Sequence, residues 1–453
     1  MKLNRLLIAN RGEIAVRIIA TCERLGIETV LAASAADTDS MAARRADRTI
    51  CIGPAPASAS YLDVTAVIRA ARDSHADAIH PGYGFLSENP RLAAACAENS
   101  IVFVGPTVTQ LEAVGDKLLA RAHAHAAGLP IVPGGEARSL AEALALAGKL
   151  GWPVIIKAVG GGGGRGMRPV HAPDELGPML ELAIAEAQAS FGDPRVYLER
   201  YVQSGRHVEV QVLGDGERVV HLGDRDCSIQ RRYQKLIEEA PAPWLDEPLR
   251  TRMHAAAVRF ATHLGYRGAG TVEFLVDAGR NEFYFLEMNA RIQVEHPVTE
   301  AVTGLDLVAA QIAIAEGQPL ELVQERLVPR GHAIECRINA EDWLHDFRPS
   351  PGTIQAARFP AGTGIRVDTH AQPGARVPPD YDSLLAKLIV HGRDRSEACA
   401  RLQIALRACS IEGVETNLGL HRSIVAAPEF LRGGVATRWL PQFLAARQPE
   451  TGR

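Results

Sequence analysis

The chain has 453 residues, of which 47% are hydrophobic and 23% charged, with a formal net charge of −4. That is ordinary globular composition, long enough for two to four domains at roughly 100–200 residues each. Mild acidity disfavours general nucleic-acid binding, so positive charge for anionic substrates must be gathered locally. The seven cysteines (22, 51, 96, 227, 336, 399 and 409) include no C-x-x-C pair, which argues against a disulfide framework or zinc ribbon and for a reducing compartment. The apolar run Leu6 to Ala9 is too short for a signal peptide, and no stretch approaches the ~18 apolar residues of a membrane span. The expectation is a cytoplasmic protein with neither nucleic acid nor membrane as partner.

In chain order, Leu6 to Asn10 reads as a buried strand, and Ile14 to Leu25 as a helix with Ile14, Ile18 and Leu25 on one side. Thr29 to Ala33 reads as the next strand. Asp63 to Ser74, Ala78 to His80 and Ile101 to Gly105 continue the alternation, which predicts a parallel sheet with helices on both faces, ending near residue 113. A second, smaller α/β unit follows. Its elements are a helix at Ser139 to Leu150, a strand at Val154 to Ala158, a helix at Asp174 to Ser190 and a strand at Val196 to Tyr201. From His207 the pattern becomes strand-rich, with a hairpin signal at Gly214-Asp215-Gly216. A last block runs from about 331 to 447.

The strongest chemical signal is Leu286 to Glu295, LEMNARIQVE. Alternation puts Glu287, Asn289, Arg291, Gln293 and Glu295 on one face of an extended strand. A solvated face is the bland reading, but Asn in mid-strand is disfavoured and unneeded there. If Asp277 pairs with Phe283 across the turn near Gly279, Glu273 falls opposite Glu287. Opposed carboxylates repel unless a cation lies between them. Glu273, Glu287 and Asn289 are hard oxygen ligands suited to Mg²⁺ or Mn²⁺, which usually implies a bound nucleotide phosphate. A straight strand would leave Glu295 on the order of 26 Å from Glu287 at roughly 3.3 Å per residue, so a bend is expected near Ala290 to Ile292.

The second signal is the glycine run Gly160 to Gly164, followed by Arg165 and Gly166. It fits neither a P-loop nor a Rossmann fingerprint. A strand ending in Lys157 before it and Arg168 after it favour a phosphate-covering lid over a linker. The third is DRDCSIQRRYQKLIEEAPAP, 224 to 243, with Arg225, Arg231, Arg232 and Lys235 among acids. Taken alone, such a stretch reads as a solvated face. Cys227 reads as a buried small residue, and His80, His123 and His125 as structural or exposed.

Together, ANRGEIA, HPGYGFLSEN, GDK at 115 to 117, KAVGGGGGRGMR, RHVEVQV, DRDCSIQRRYQK, EMNARIQVEHPVTE, ECRINAED and PSPGTI resemble biotin carboxylase, an ATP-grasp enzyme, over residues 3 to 440. The resemblance implies an α/β fold with a doubly wound N-terminal domain (1–113), an ATP-grasp domain (114–330) with a mobile lid at about 131–204, and a strand-rich C-terminal domain (331–447). It implies ATP, Mg²⁺ or Mn²⁺, bicarbonate, and biotin on a separate carrier protein, with a carboxyltransferase subunit and a homodimer. Residue by residue, Lys117 and Lys157 resemble the lysines on ATP phosphates, and Gly163 and Gly164 the lid glycines. Glu199, Arg200, Tyr201 and Val202 resemble the adenine-gripping segment, largely through backbone, and His207 and Gln230 further nucleotide contacts. Glu273, Glu287 and Asn289 resemble the metal ligands. Lys235, Arg291, Gln293 and Val294 resemble the bicarbonate pocket, Glu295 the general base, Arg337 the residue facing the biotin ureido oxygen, and Tyr83 and Gly84 a biotin-side wall. Tyr233 stands where the family commonly has His, and Arg200 where it commonly has Lys.

The implied reaction is the first half-reaction of an acetyl-CoA or other acyl-CoA carboxylase, through carboxyphosphate. The rivals are another ATP-grasp ligase, such as a carbamoyl-phosphate synthetase half or purine-pathway carboxylase, and a non-catalytic nucleotide-binding module. The first would lack QVEHPVTE plus RINAED, and the second would have lost Glu295, Arg291 or Lys235. The final carboxyl acceptor, an acyl-CoA or a keto acid such as pyruvate, is not written in this chain.

Overall fold

The computed structural model describes residues 2–160, 166–202 and 204–447. Gly163 and Gly164 therefore lie outside the described residues. The first block forms five parallel strands: β1 (Arg5–Ile8), β2 (Glu28–Ser34), β3 (Arg48–Gly53), β4 (Ala78–His80) and β5 (Val102–Phe103). Their order is β3-β2-β1-β4-β5. Alternation along β1 sorts its side chains. Leu6 and Ile8 join Ile14, Ile18 and Ile19 of α1 (Gly12–Leu25), while Leu7 joins Val67 and Ala71 of α2 (Val64–Ser74) on the other face. Leu25, read as sharing a side with the buried Ile14 and Ile18, is 42% exposed. It occupies the helix end, where Gly26 in the left-handed conformation turns the chain away. Because strand order reverses between β1 and β4, their C-terminal ends open a crevice.

After α3 (Lys117–Ala126) comes an antiparallel sheet of β6 (Gly134–Glu136), β7 (Val154–Ala158), β8 (Met167–Val170) and β9 (Val196–Arg200), in the order β6-β9-β7-β8. Helices α4 (Leu140–Leu150) and α5 (Pro173–Phe191) back it. The Ser139 hydroxyl caps α4 by accepting from the Glu142 N–H.

The rest is built on one eight-stranded sheet. Its strands are β10 (Gly205–Asp215), β11 (Val219–Arg231), β12 (Gln234–Ala240), β13 (Arg267–Asp277), β14 (Glu282–Asn289), β15 (His332–Asn339), β16 (Ile365–Thr369) and β17 (Leu384–Gly392). The order is β14-β13-β10-β11-β12-β15-β17-β16, so strands of the last block extend the sheet begun at Gly205. The aromatic core under it includes Phe260, Phe274 and Phe285, each nearly inaccessible, and each contributes about 1.5–3 kcal/mol by burial. Among the described residues no single helix is long and apolar enough to cross a membrane.

Candidate active site

Glu273 and Glu287 stand opposite each other on β13 and β14, although the expected path to that register was wrong by one residue. Asp277 pairs with Glu282, not Phe283, and a bulge at Leu286 restores the match between Glu273 and Glu287. The expected bend is present. Strand β14 ends at Asn289, the chain turns through Ala290 to Val294, and helix α6 (His296–Thr303) begins with Glu295 as its N-cap residue. The polar face therefore folds back on itself. Arg291 donates to Asn289 Oδ1 at 2.7 Å, and Gln293 donates to Glu273 at 3.2 Å.

Lys235 ties the two ends together. Its Nζ lies 2.9 Å from Glu273, 2.6 Å from Glu295 and 2.5 Å from Glu209. Burial disfavours the ammonium, but the three carboxylates outweigh it and hold the lysine well above its ordinary value. Glu295 is fully buried and also accepts from Arg337 at 2.8 Å. Burial would raise its pKa, yet Lys235, then Arg337 and Arg225, hold it well below the usual carboxylate range. Lys235 follows a two-residue hairpin in which Arg232 (φ 47°) and Tyr233 (φ 68°) both take the left-handed region that such turns require. Neither is Gly or Asn, so strain is stored beside Gln230 and Lys235.

The carboxylate pair fits a divalent cation by its chemistry. Burial and then repulsion from Glu273 push the Glu287 carboxyl up, against the attraction of Lys117. Glu273 has the opposite fate. Despite burial, Lys235 and His207 pull it below the ordinary range, with His207 Nε2 2.8 Å away. Gln230 Nε2 donates to the Cys227 carbonyl at 2.6 Å and contacts His207 Nδ1 at 2.7 Å. That amide nitrogen can only donate, so His207 Nδ1 accepts and its Nε2–H faces Glu273. With Asn289 adjoining, Glu273, Glu287 and Asn289 can hold Mg²⁺ or Mn²⁺ once Lys235 shares Glu273 with it.

Lys117 opens α3 next to its capping residue Asp116, whose carboxylate accepts from Leu118 and Leu119 N–H. Burial pushes the Lys117 ammonium down, Glu287 pulls the other way, and Lys157 pushes further down. Lys157 lies 2.5 Å from Glu199, which Arg121 also contacts. The Glu199 side chain is thus paired with two cations. The Arg200 and Tyr201 N–H groups are committed to Pro133 and Pro153 carbonyls, and the Arg200 guanidinium donates to Tyr284. Val202 is half-buried beside them.

At the β1/β4 crevice, a pocket of about 320 Å³ is lined by Asn10, Glu13, Tyr83, Gly84, Tyr381 and Asp382. Asn10 donates to the Pro81 and Tyr83 carbonyls, both at 2.7 Å, and a Cβ on Gly82 (φ 63°) would sit 2.8 Å from its amide. The Tyr83 hydroxyl donates to Glu13, whose other oxygen lies 3.0 Å from Lys387. Lys387 in turn donates to the Val294 carbonyl at 2.9 Å. This chain of contacts joins the crevice to the Glu295 loop.

The reading of 224–243 as a solvated face fails for half of its cations. Arg225 is 0% exposed and bonds Glu209, Gln211, Thr271 and Thr299, and Lys235 is largely buried. Only Arg231 and Arg232 reach an exposed partner, Asp346. Cys227 and His80 are both fully buried, and His80 Nδ1 accepts from the Gly82 N–H. His123 meets His263 at the surface. Glu88, Glu209, Glu238, Glu335 and Lys387 were not expected at the site. Glu88 binds Arg291 at 2.8 Å, and Glu238 binds Arg337 at 2.5 Å. For Glu209, Glu238, Glu335 and Lys387 the signal was a charged residue at an inward position of an otherwise apolar strand, as in HAIECRIN and LLAKLIV, whereas Glu88 lies in a turn and carried no such signal.

Three family descriptions match this chain: biotin carboxylase N-terminal domain over residues 2–111, the carbamoyl-phosphate synthase L chain ATP-binding domain over 116–323, and biotin carboxylase C-terminal domain over 335–442. A biotin carboxylase from Nostoc sp. is 51% identical over 445 residues, covering 98% of this chain and 99% of that protein. The crystal structure of a Campylobacter jejuni biotin carboxylase–β,γ-ATP complex is 45% identical with a TM-score of 0.94, covering 97% and 99% of the two chains. The biotin carboxylase domain dimer of Hydrogenobacter thermophilus 2-oxoglutarate carboxylase, solved with MgADP, ADP and bicarbonate, is 42% identical with a TM-score of 0.94, covering 98% of each chain.

Proposed function

The chain belongs to the biotin carboxylase family, and we propose that the cluster of Lys235, Arg291, Glu295 and Arg337 is where its ATP-dependent ligase chemistry joins bicarbonate to biotin. One observation carries the assignment. Lys235 bridges the carboxylate that suits a metal, Glu273, and the buried carboxylate suited to act as base, Glu295, at 2.9 and 2.6 Å. Phosphoryl transfer and proton removal are thereby held within one side chain's reach.

Arg291 and Lys235 bind bicarbonate, the arginine through its planar fork. Held by two cations, Glu295 is a weak base. It gains basicity when bicarbonate takes over Lys235 and the biotin oxygen takes over Arg337, and it then accepts the bicarbonate proton. The freed oxygen attacks the γ-phosphorus, the bond to ADP breaks, and carboxyphosphate forms. A divalent ion at Glu273, Glu287 and Asn289 supplies neutralising charge on the phosphates, with Lys117 and Lys157 beside them. Carboxyphosphate breaks into CO₂ and phosphate, the phosphate takes the biotin ureido N–H proton, and the nitrogen attacks CO₂ to form the N–C bond, while the ureido oxygen that carries the developing charge faces Arg337. Tyr83 and Gly84 wall the biotin side.

Biotin arrives on a separate carrier, a reading supported by the match of this chain to 99% of the length of the Nostoc biotin carboxylase. A carboxyltransferase completes the reaction, and a homodimer in the cytoplasm is the working assembly. Domain limits near 113 and 330 complete this reading. Bicarbonate-dependent ATP turnover, with and without free biotin, is the test. ATP hydrolysis that ignores both additions would remove the assignment, and a streptavidin signal on this chain would remove the separate carrier.

A further inference from the structure

Strands β12 and β15 place Glu238 directly opposite Glu335. Both side chains are fully buried. Arg337 Nε takes Glu238 Oε1 at 2.5 Å. Glu238 Oε2 and both oxygens of Glu335 have no hydrogen-bond partner among the described residues. Opposed buried carboxylates with three uncommitted oxygens cannot both carry charge without a large penalty. Lys387, across β15 on β17, attracts Glu335 only from a distance, because its Nζ is engaged by Val294 O at 2.9 Å and Glu13 at 3.0 Å.

Deepening the reading above, and resting on Arg337 as the biotin-facing cation, we propose that Glu238 and Glu335 share one proton and act as a positioning pair for Arg337. Glu335 is the acid and donates its O–H to Glu238 Oε2. Glu238 is the carboxylate that holds Arg337 Nε, leaving the NH2 arm for Glu295 and the biotin oxygen. The pair then contributes a single negative charge beside a single guanidinium.

The groups facing the pair fit this state. They are Arg337 on β15, Lys387 on β17, Lys235 on β12 and Glu295 before α6. Glu13 of α1 answers Lys387. His296 of α6 is neutral, with its Nδ1 on the Gln293 carbonyl and its pKa held well below the ordinary value by burial and then by Lys387. Burial pushes Glu335 well above the carboxylate range, Glu238 adding to it against Lys387. Burial also pushes Glu238 up to about 7, against the pull of Arg337. Loss of the shared proton at alkaline pH would leave two charges beside Arg337 and draw its guanidinium from Glu295.

The test uses the full chain with Glu335→Gln, Glu335→Ala and Arg337→Ala. It follows ATP turnover with bicarbonate, with and without free biotin, from neutral to alkaline pH, together with the infrared carbonyl band of a protonated carboxyl. Glu335→Gln, which keeps a donor without a titrating proton, should lack that band. It should match the wild type at neutral pH and lose the wild-type alkaline decline in biotin-dependent turnover. Glu335→Ala should raise the KM for biotin about tenfold, the equivalent of one lost charged hydrogen bond, and change the KM for ATP far less. A wild type without the band, an unchanged alkaline limb in Glu335→Gln, or a Gln variant as impaired as Ala would overturn the pair. Biotin-dependent turnover surviving in Arg337→Ala would overturn the pair and the assignment of Arg337 together.

Discussion

The four-stranded sheet of residues 134–200 and the eight-stranded sheet that begins at Gly205 lie in sequence side by side but bury different chemistry. Of the thirteen buried residues in the smaller core, six are alanine: Ala137, Ala143, Ala147, Ala158, Ala183 and Ala187. Its helices leave Leu140, Leu144 and Leu182 exposed. The larger sheet buries Phe260, Phe274 and Phe285 on one side and Arg225, Lys235 and Lys387 among carboxylates on another. A thin apolar core opens locally at low cost, whereas a buried charge network tolerates almost no displacement before a charge loses its partner. The smaller sheet is the one whose core opens more cheaply, and the larger sheet is the one whose buried charges must stay in register with their partners.

The largest expected effect lies in the charged sheet. Glu295→Ala and Arg291→Ala should keep nucleotide affinity while bicarbonate-dependent turnover falls by about 10²–10⁴-fold, and Glu287→Ala should instead weaken metal–nucleotide binding. Calorimetric nucleotide titration beside steady-state kinetics separates them. Near-normal carboxylation by Glu295→Ala would end its role as base.

Next, Arg225→Leu should cost about 3–5 kcal/mol by leaving Glu209 with Lys235 as its one buried cation and Gln211, Thr271 and Thr299 without their shared donor. Unfolding in urea should show one lowered transition spanning the whole large sheet. Leu180→Ala in the smaller core should cost about 2–4 kcal/mol. Its hydrogen-exchange loss should be confined to residues 134–200. Spread of that loss into β10 to β14 would break the contrast between the regions.

A smaller effect follows pH. Burial opposes ionisation of Glu239, but His332 and Arg395 hold its carboxyl below the ordinary range. Its folded pKa is depressed, so its contribution is complete above the unfolded value of about 4.3 and fades as pH falls through the folded one. The Tm difference between wild type and Glu239→Gln should therefore narrow on acidification below that value. A gap that stays constant would show that Glu239 contributes packing alone. The smallest effect is Tyr233→Gly, which relieves a left-handed residue and should stabilise by about 1 kcal/mol while altering the KM for ATP.

Much was legible in the sequence because local rules set it. Short apolar runs separated by amphipathic helices could only be parallel strands covered on both faces, and Leu6 to Ile8 behaves so. Ser139 ahead of Leu140 marked a helix start, whereas the Glu273–Glu287 opposition holds only because the bulge at Leu286 offsets a one-residue error in the expected hairpin register. Chain geometry alone required the bend after Asn289, since a straight strand could not bring Glu295 to Glu287. What only the tertiary structure decided is what covers each face. Period-two alternation says that Arg225, Glu335 and Lys387 share faces with their neighbours, but not that those faces are buried. That depends on α6 and the Glu295 loop lying over a sheet whose strands come from positions far apart in the chain. The pairing of Glu238 with Glu335, the capture of Arg291 by Glu88 and the meeting of Lys235 with Glu295 are contacts between residues about 60 to 200 positions apart. Such pairings depend on register and bulges across several strands at once, and a one-residue slip exchanges every inward side chain for an outward one.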